Sequence, residues 1–401
     1  MSSLASPVRT ARPARVRPTP RPVTTPPAKI VLFANTDWYL YNFRQSLARH
    51  LREAGHPLIL ISPDGAYGPK LIEAGFDWRA LPMNRRSINP LAEAGLIWHL
   101  TRLLRREKAD IIHGFTIKPA VYGALAGGLA GVKRVNAVAG LGYVFMSGQM
   151  QARALRPIVR TMARLTFDDA HTRLIVQNPD DHAAFVGSGL VSAGRTHIIP
   201  GSGVDCSRFK VSPRKREKGE ALRILLAARM LWDKGLAEFV EAARALKAEG
   251  RNIEFLLAGE PDPGNPTAVP IETLKSWFDE GVVTWLGHVD DMPGLLAEVD
   301  VVALPSYREG LPKTLIEAAA CALPLVTTDV PGCREVVTDG VDGLLVPVRE
   351  WRPLAEAFAR LDDDPALRAR LGAAARQKAL AQFDEKIVIE RTMEVYRSLL
   401  G

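Results

Sequence analysis

From residue 29 onward, short runs of consecutive apolar residues alternate with segments whose apolar positions recur every three or four residues. Uninterrupted apolar runs suit strands covered on both faces, and the longer repeat suits helices lying on a sheet, so the alternation predicts parallel α/β layers. Lys29–Asn35 (KIVLFAN) reads as the first strand, Tyr41–Ala54 as a helix closed by Gly55, and Pro57–Ser62 (PLILIS) as the next strand. Asp110–His113, Arg134–Val138, Thr172–Gln177 and His197–Pro200 continue the series. Val211–Glu220 (VSPRKREKGE) is polar and without period, the mark of a linker. The pattern then restarts, with strands over Leu222–Ala228, Glu254–Ala258, Val283–Leu286, Val299–Leu304 and Leu323–Thr327 and a helix over Ala237–Ala248.

Two α/β halves therefore face each other. The expected division is a tail over 1–28, a Rossmann-like domain over 29–205, a linker over 206–221, a second Rossmann-like domain over 222–383, and a final helical segment over 384–401. In open sheets of this kind ligands bind beyond the carboxyl ends of the strands, so the cleft between the halves is the expected site.

Composition narrows the function classes. The chain of 401 residues is 47% hydrophobic and 24% charged, ample for packed cores. Its net charge of +8 is unevenly placed: residues 1–28 hold five arginines, seven prolines and no acid, leaving about +3 on the rest. A nucleic-acid binder would need a concentrated basic face on the folded part, so none is expected as partner. Three cysteines, Cys206, Cys321 and Cys333, are too few and scattered for a disulfide framework or a zinc site, which suits a reducing cytosol. No apolar span of membrane-crossing length is evident, and the N-terminus lacks the apolar core of a signal peptide.

Chemistry concentrates in two segments. In Leu304–Ala320 (LPSYREGLPKTLIEAAA) a strand ends, a short loop carries Glu309 and Gly310, and Pro312 sits where a first helical turn accepts it. Gly310 lets backbone amides approach a ligand, and the new helix offers its positive end to a phosphate or sugar oxygen. Glu309 and Glu317 could each accept hydrogen bonds from hydroxyl groups, or could simply be surface carboxylates flanking a helix start. In Ala228–Gly235 (ARMLWDKG), Arg229 follows a buried strand and Lys234 lies five residues on. A guanidinium fork and a mobile ammonium at one sheet edge suit a diphosphate, or could be solvated strand-end charges.

Together these segments resemble the retaining glycosyltransferases of family four, which adopt the GT-B fold. The Glu-x7-Glu pattern is met by Glu309 and Glu317, and the Arg-x4-Lys-Gly pattern by Arg229, Lys234 and Gly235. Ile199–Phe209 (IPGSGVDCSRF) is similar to the segment leading out of the first domain, and Ile387–Leu400 to the helix that crosses back onto it. The resemblance implies a UDP-linked donor, an N-acetylhexosamine by preference. Arg229 and Lys234 would neutralise the leaving diphosphate, and Glu317 would bind the ribose. Glu309 with Gly310, Leu311 and Pro312 would hold the donor sugar and β-phosphate, with Thr314 and Gly259 completing the donor site. It also implies no cofactor and no metal ion.

The resemblance also implies that the first half carries the acceptor. His113–Tyr122 and Val135–Phe145 look like the subgroup that extends lipid-diphosphate-linked oligosaccharides. Asn42, Arg44 and Lys118 are the candidate acceptor contacts on that resemblance. Many family members have a histidine where Ala139 stands, and Trp38 and Tyr39 replace glycines of the loop near the phosphates. The arginines of Arg153–Thr166 recur along one helix face, and Pro90–Lys108 sets Leu91, Trp98 and Leu104 beside Arg102, Arg105, Arg106 and Lys108. Such helices pack on a core or dock on an anionic leaflet, the latter giving a cytoplasmic enzyme held peripherally at the inner face of the plasma membrane. The alternative with the same fold is a non-hydrolysing nucleotide-sugar epimerase. A nicotinamide-dependent oxidoreductase is opposed by the absence of any glycine in Ala34–Arg44.

Overall fold

The computed structural model describes residues 27–83, 89–138, 166–211, 216–217, 219–262 and 264–401. The first sheet has seven parallel strands: β1 (Ile30–Phe33), β2 (Leu58–Ser62), β3 (Asp77–Ala80), β4 (Ile111–Phe115), β5 (Lys133–Ala137), β6 (Thr172–Val176) and β7 (Thr196–Ile198). Their spatial order is β3-β2-β1-β4-β5-β6-β7. The second has six: β8 (Leu222–Ala227), β9 (Ile253–Ala258), β10 (Thr284–Trp285), β11 (Val301–Leu304), β12 (Leu325–Thr328) and β13 (Leu344–Val346). These lie in the order β10-β9-β8-β11-β12-β13. All four residues of β1 and of β11 are buried, as strands covered on both faces must be.

Each sheet is the middle of a three-layer sandwich. On one side of the second sheet, Phe239, Phe255 and Phe358 pack edge to face within a core that includes Leu226 and Leu257. The core on the other side gathers Leu225, Leu304, Leu315 and Phe383. The C-terminal helix α5 spans Glu385–Leu400 and lays Val388, Val395 and Tyr396 into the core of the first sheet beside Ile30 and Ile111. The two chain crossings run side by side, with Val204 N–H donating to Phe383 O at 2.9 Å and Glu385 N–H donating to Val204 O at 3.0 Å.

Several expected boundaries move. Cys206 and Phe209, at the start of the expected 206–221 linker, are buried in the second core and so already belong to that domain. Strands β3 and β13 lay outside the expected set, because an edge strand of four exposed or half-exposed residues and a strand of three carry little pattern. The helix expected from Tyr41 begins at Asp37, where the Thr36 hydroxyl accepts from Tyr39 N–H. It passes through a π-helical turn at Leu40–Arg44 before the regular helix α1 (Gln45–Glu53). The calls on residues 1–26, Ala139 and the arginines of 153–164 lie outside the described residues.

Candidate active site

Strand order reverses between β1 and β4 in the first sheet and between β8 and β11 in the second. Those reversals open the crevices where α/β sheets take ligands. The loops that leave these four strands carry most of the expected site residues.

In the second domain, Lys234 Nζ lies 2.5 Å from Glu309 Oε1, and both side chains are largely covered, at 17% and 13% exposed. The loops bearing them are stitched together, since Tyr307 N–H donates to Asp233 O at 2.8 Å and the Ser306 hydroxyl donates to the same oxygen at 3.0 Å. Gly235 makes this possible: its φ is +75° and a Cβ there would sit 2.1 Å from Pro305 O. Arg229 projects from the same sheet edge but is exposed, and pairs with Asp262 at 2.6 Å rather than with Glu309. Gly259, at φ +133°, closes the end of β9 against the Arg229 loop, where a Cβ would meet Ala228 O at 1.9 Å.

Pro312 precedes helix α4 (Lys313–Ala320), whose first turn includes Thr314. Glu317 is buried on this helix 3.5 Å from Lys313 Nζ. Burial lifts its pKa above the ordinary carboxylate value, an effect that the nearby Lys313 charge only partly offsets. Gly310 ties the loop to the first domain, its carbonyl accepting from Asn178 Nδ2 at 2.9 Å.

Between the domains lies a cavity of about 120 Å³. Tyr39, Phe43, Arg44, Thr116 and Gln177 line it on one side, Leu311, Lys313 and Ile316 on the other. Tyr39 and Phe43, which both line it, stack at 5.1 Å. The π-helical turn ends at Arg44, which is turned inward and buried, with Nη2 donating to the Tyr39 hydroxyl at 2.8 Å and Nη1 to Gly201 O at 3.3 Å. The Asn42 side chain instead folds back to donate to Trp38 O, and its backbone carbonyl accepts from Lys313 Nζ at 3.1 Å. Lys118 is bound to Glu93 at 2.7 Å, over the Tyr122 ring, and is not among the residues lining the cavity. Arg44 and Leu311 thus converge on one cavity, while the side chains of Asn42 and Lys118 do not.

Sequence reasoning missed Lys313, Thr116, Gln177 and Asn178. For Lys313 a signal existed: it stands four residues before Glu317, the spacing of a helical ion pair. His113 is buried, with Nδ1 2.7 Å from the Tyr396 hydroxyl of α5. Burial, with the Arg44 charge close by, holds its pKa well below 6.5.

Two facing Rossmann-like domains, with two cations and a helix N-terminus at one switch point, have the GT-B architecture. The model for glycosyl transferases group 1 matches residues 221–364, and that for the glycosyl transferase 4-like domain matches residues 42–201. The chain belongs to this family of family-4-like, group 1 glycosyltransferases. It is 30% identical, over 89% of its length and 95% of the relative's, to N,N'-diacetylbacillosaminyl-diphospho-undecaprenol alpha-1,3-N-acetylgalactosaminyltransferase of Campylobacter jejuni. It is 26% identical to UDP-Gal:alpha-D-GlcNAc-diphosphoundecaprenol alpha-1,3-galactosyltransferase of Escherichia coli, over 72% of this chain and 75% of that one. Among solved structures, Anabaena HepE in complex with UDP superposes with a TM-score of 0.76 at 22% identity, over 92% of this chain and all of that one. These likenesses lend no support to the epimerase alternative.

Proposed function

We propose that the protein moves an N-acetylhexosamine from a UDP-sugar onto a lipid-diphosphate-linked saccharide, with retention of anomeric configuration and without a metal ion. The single observation that carries the reading is the Lys234–Glu309 pair, set at the second switch point beside the N-terminus of α4. A diphosphate entering there meets the ammonium, the Arg229 guanidinium and the first free N–H groups of the helix, the charges that a metal would otherwise supply. Glu309 is then free to accept from a donor-sugar hydroxyl, and Glu317 lies on the same helix for the ribose.

In the transfer, the bond from the sugar C1 to the β-phosphate oxygen breaks and a bond from C1 to the acceptor hydroxyl oxygen forms on the same face. The acceptor proton passes to the departing phosphate oxygen, so no side chain is needed as general base. The acceptor class is taken from the two relatives named for diphospho-undecaprenol substrates.

The first domain offers a surface for the lipid. On helix α2 (Pro90–Glu107), Leu96, Leu100 and Leu104 face the core, whereas Leu91 and Trp98 are 84% and 59% exposed. Arg102 stacks on Trp98 at 4.7 Å, an arrangement suited to an anionic interface at the inner face of a membrane. Leu104 therefore leaves the expected membrane stripe for the core. Among the described residues no helix is long and apolar enough to cross a membrane.

The test is binding and product analysis with UDP-, GDP- and ADP-sugars. Preferred binding of UDP-N-acetylhexosamine and an α-configured product by proton NMR support the reading; a β-configured product or preference for another nucleotide overturns it.

A further inference from the structure

Arg44 is only 6% exposed, yet among the described residues no carboxylate pairs with it. Its bonded partners are a carbonyl and a phenol, its guanidinium carbon lies 4.3 Å from the Phe115 ring centre, and among the described residues Nε has no partner. A buried charge without a counter-ion is costly, so an anion entering the cavity would be attracted to it. A second irregularity borders the same cavity. Thr116, at the end of β4, takes φ +69° and ψ 168°, a conformation that a β-branched residue adopts only when its surroundings force it. Among the described residues its buried hydroxyl has no partner. It caps helix α3 (Ile117–Ala130), so the positive end of that helix opens at the cavity wall. A third atom without a partner among the described residues, His113 Nε2, belongs to a small adjoining cavity that Arg44 also lines.

These groups sit at the switch point of the first sheet, after β1 and β4, as Lys234 and Glu309 sit at that of the second. We propose that Arg44 and the Thr116 hydroxyl, at the N-terminus of α3, form a phosphate subsite in the first domain that takes a phosphate of the acceptor. A diphosphate could come from either substrate. The donor's already has Arg229, Lys234 and the α4 terminus, which assigns this second anion site to the acceptor. The assignment rests on the lipid-diphosphate acceptor proposed above.

The test uses the full chain with UDP-sugar and two acceptors, a short-chain polyprenyl-diphosphate saccharide and the same saccharide as a phosphate-free octyl glycoside. Thr116→Val keeps the branched shape and removes the hydroxyl; Arg44→Gln removes the charge. Each is expected to raise KM for the diphosphate acceptor about tenfold or more while leaving UDP affinity unchanged, and Thr116→Ser is expected to restore the value. On the octyl glycoside the wild type and the variants are expected to converge. Equal losses on both acceptors, or a parallel loss of UDP affinity, would overturn the assignment. Calorimetry with inorganic pyrophosphate at saturating UDP decides the anion site without turnover: binding that Arg44→Gln leaves undiminished overturns it. Failure of the wild type to use any lipid-diphosphate acceptor would instead overturn the functional reading, with the pyrophosphate titration still deciding the subsite.

Discussion

The ammonium of Lys234 and the carboxylate of Glu309 meet at 2.5 Å, joining the loop after β8 to the loop after β11. In the absence of donor, each is the other's counter-ion, so the pair holds both side chains at the place where the leaving diphosphate is expected. Lys234→Ala and Glu309→Ala should each lower kcat/KM on the order of 100-fold or more, in the range seen when one preorganised charge is removed. Circular dichroism and gel filtration should show the fold intact. Wild-type kcat/KM in either variant contradicts the assignment.

Gly235 allows those loops to touch. Gly235→Ala places a Cβ against Pro305 O and forces a left-handed backbone on alanine, costing about 1–3 kcal/mol from the backbone conformation alone. Urea denaturation should show the loss of stability, and transfer should fall further than stability does because Lys234 is displaced.

The C-terminal helix grips the first domain partly through one hydrogen bond. Tyr396→Phe leaves the buried Nδ1 of His113 without its partner, which should cost about 1–3 kcal/mol in a denaturant midpoint measurement. An unchanged midpoint would show that the contact contributes little.

His113 also sets a pH dependence. Its folded pKa lies below the ordinary 6.5, so in the interval between the two values the unfolded chain binds more protons than the folded one. Stability should therefore decline as pH falls below 6.5 and level off beneath the folded value. His197, whose pKa is also lowered, contributes with the same sign. His113→Asn should reduce the slope of stability against pH without removing it.

Helix α2 makes a separable prediction. Trp98→Glu should weaken binding to vesicles containing anionic lipid, read by flotation, and leave UDP affinity unchanged. Equal flotation of the variant and wild type would mean that Trp98 is not at the membrane.

Much of this organisation is legible in the chain itself. Runs such as IVLF, ILLA and VVAL are apolar throughout because both faces of the strand are covered, and the loops that follow the last two hold Arg229, Lys234 and Glu309 close to the strand ends. What stayed hidden depends on distance or on backbone irregularity. Lys118 meets a carboxylate 25 residues away, which no local pattern reveals. Arg44 is a candidate acceptor contact from the sequence, but its burial is not legible there, because it follows from the π-helical turn that ends at this residue. The strain at Thr116 has no sequence signature, since threonine is an ordinary residue at the N-terminus of a helix.

The most direct measurement mixes the wild-type enzyme with UDP-N-acetylhexosamine, with and without an undecaprenyl-diphosphate saccharide, and follows UDP release and product mass. UDP released only when acceptor is present, with one N-acetylhexosamine mass added to the lipid, is the expected result. UDP release or sugar isomerisation at the same rate without acceptor would contradict the account.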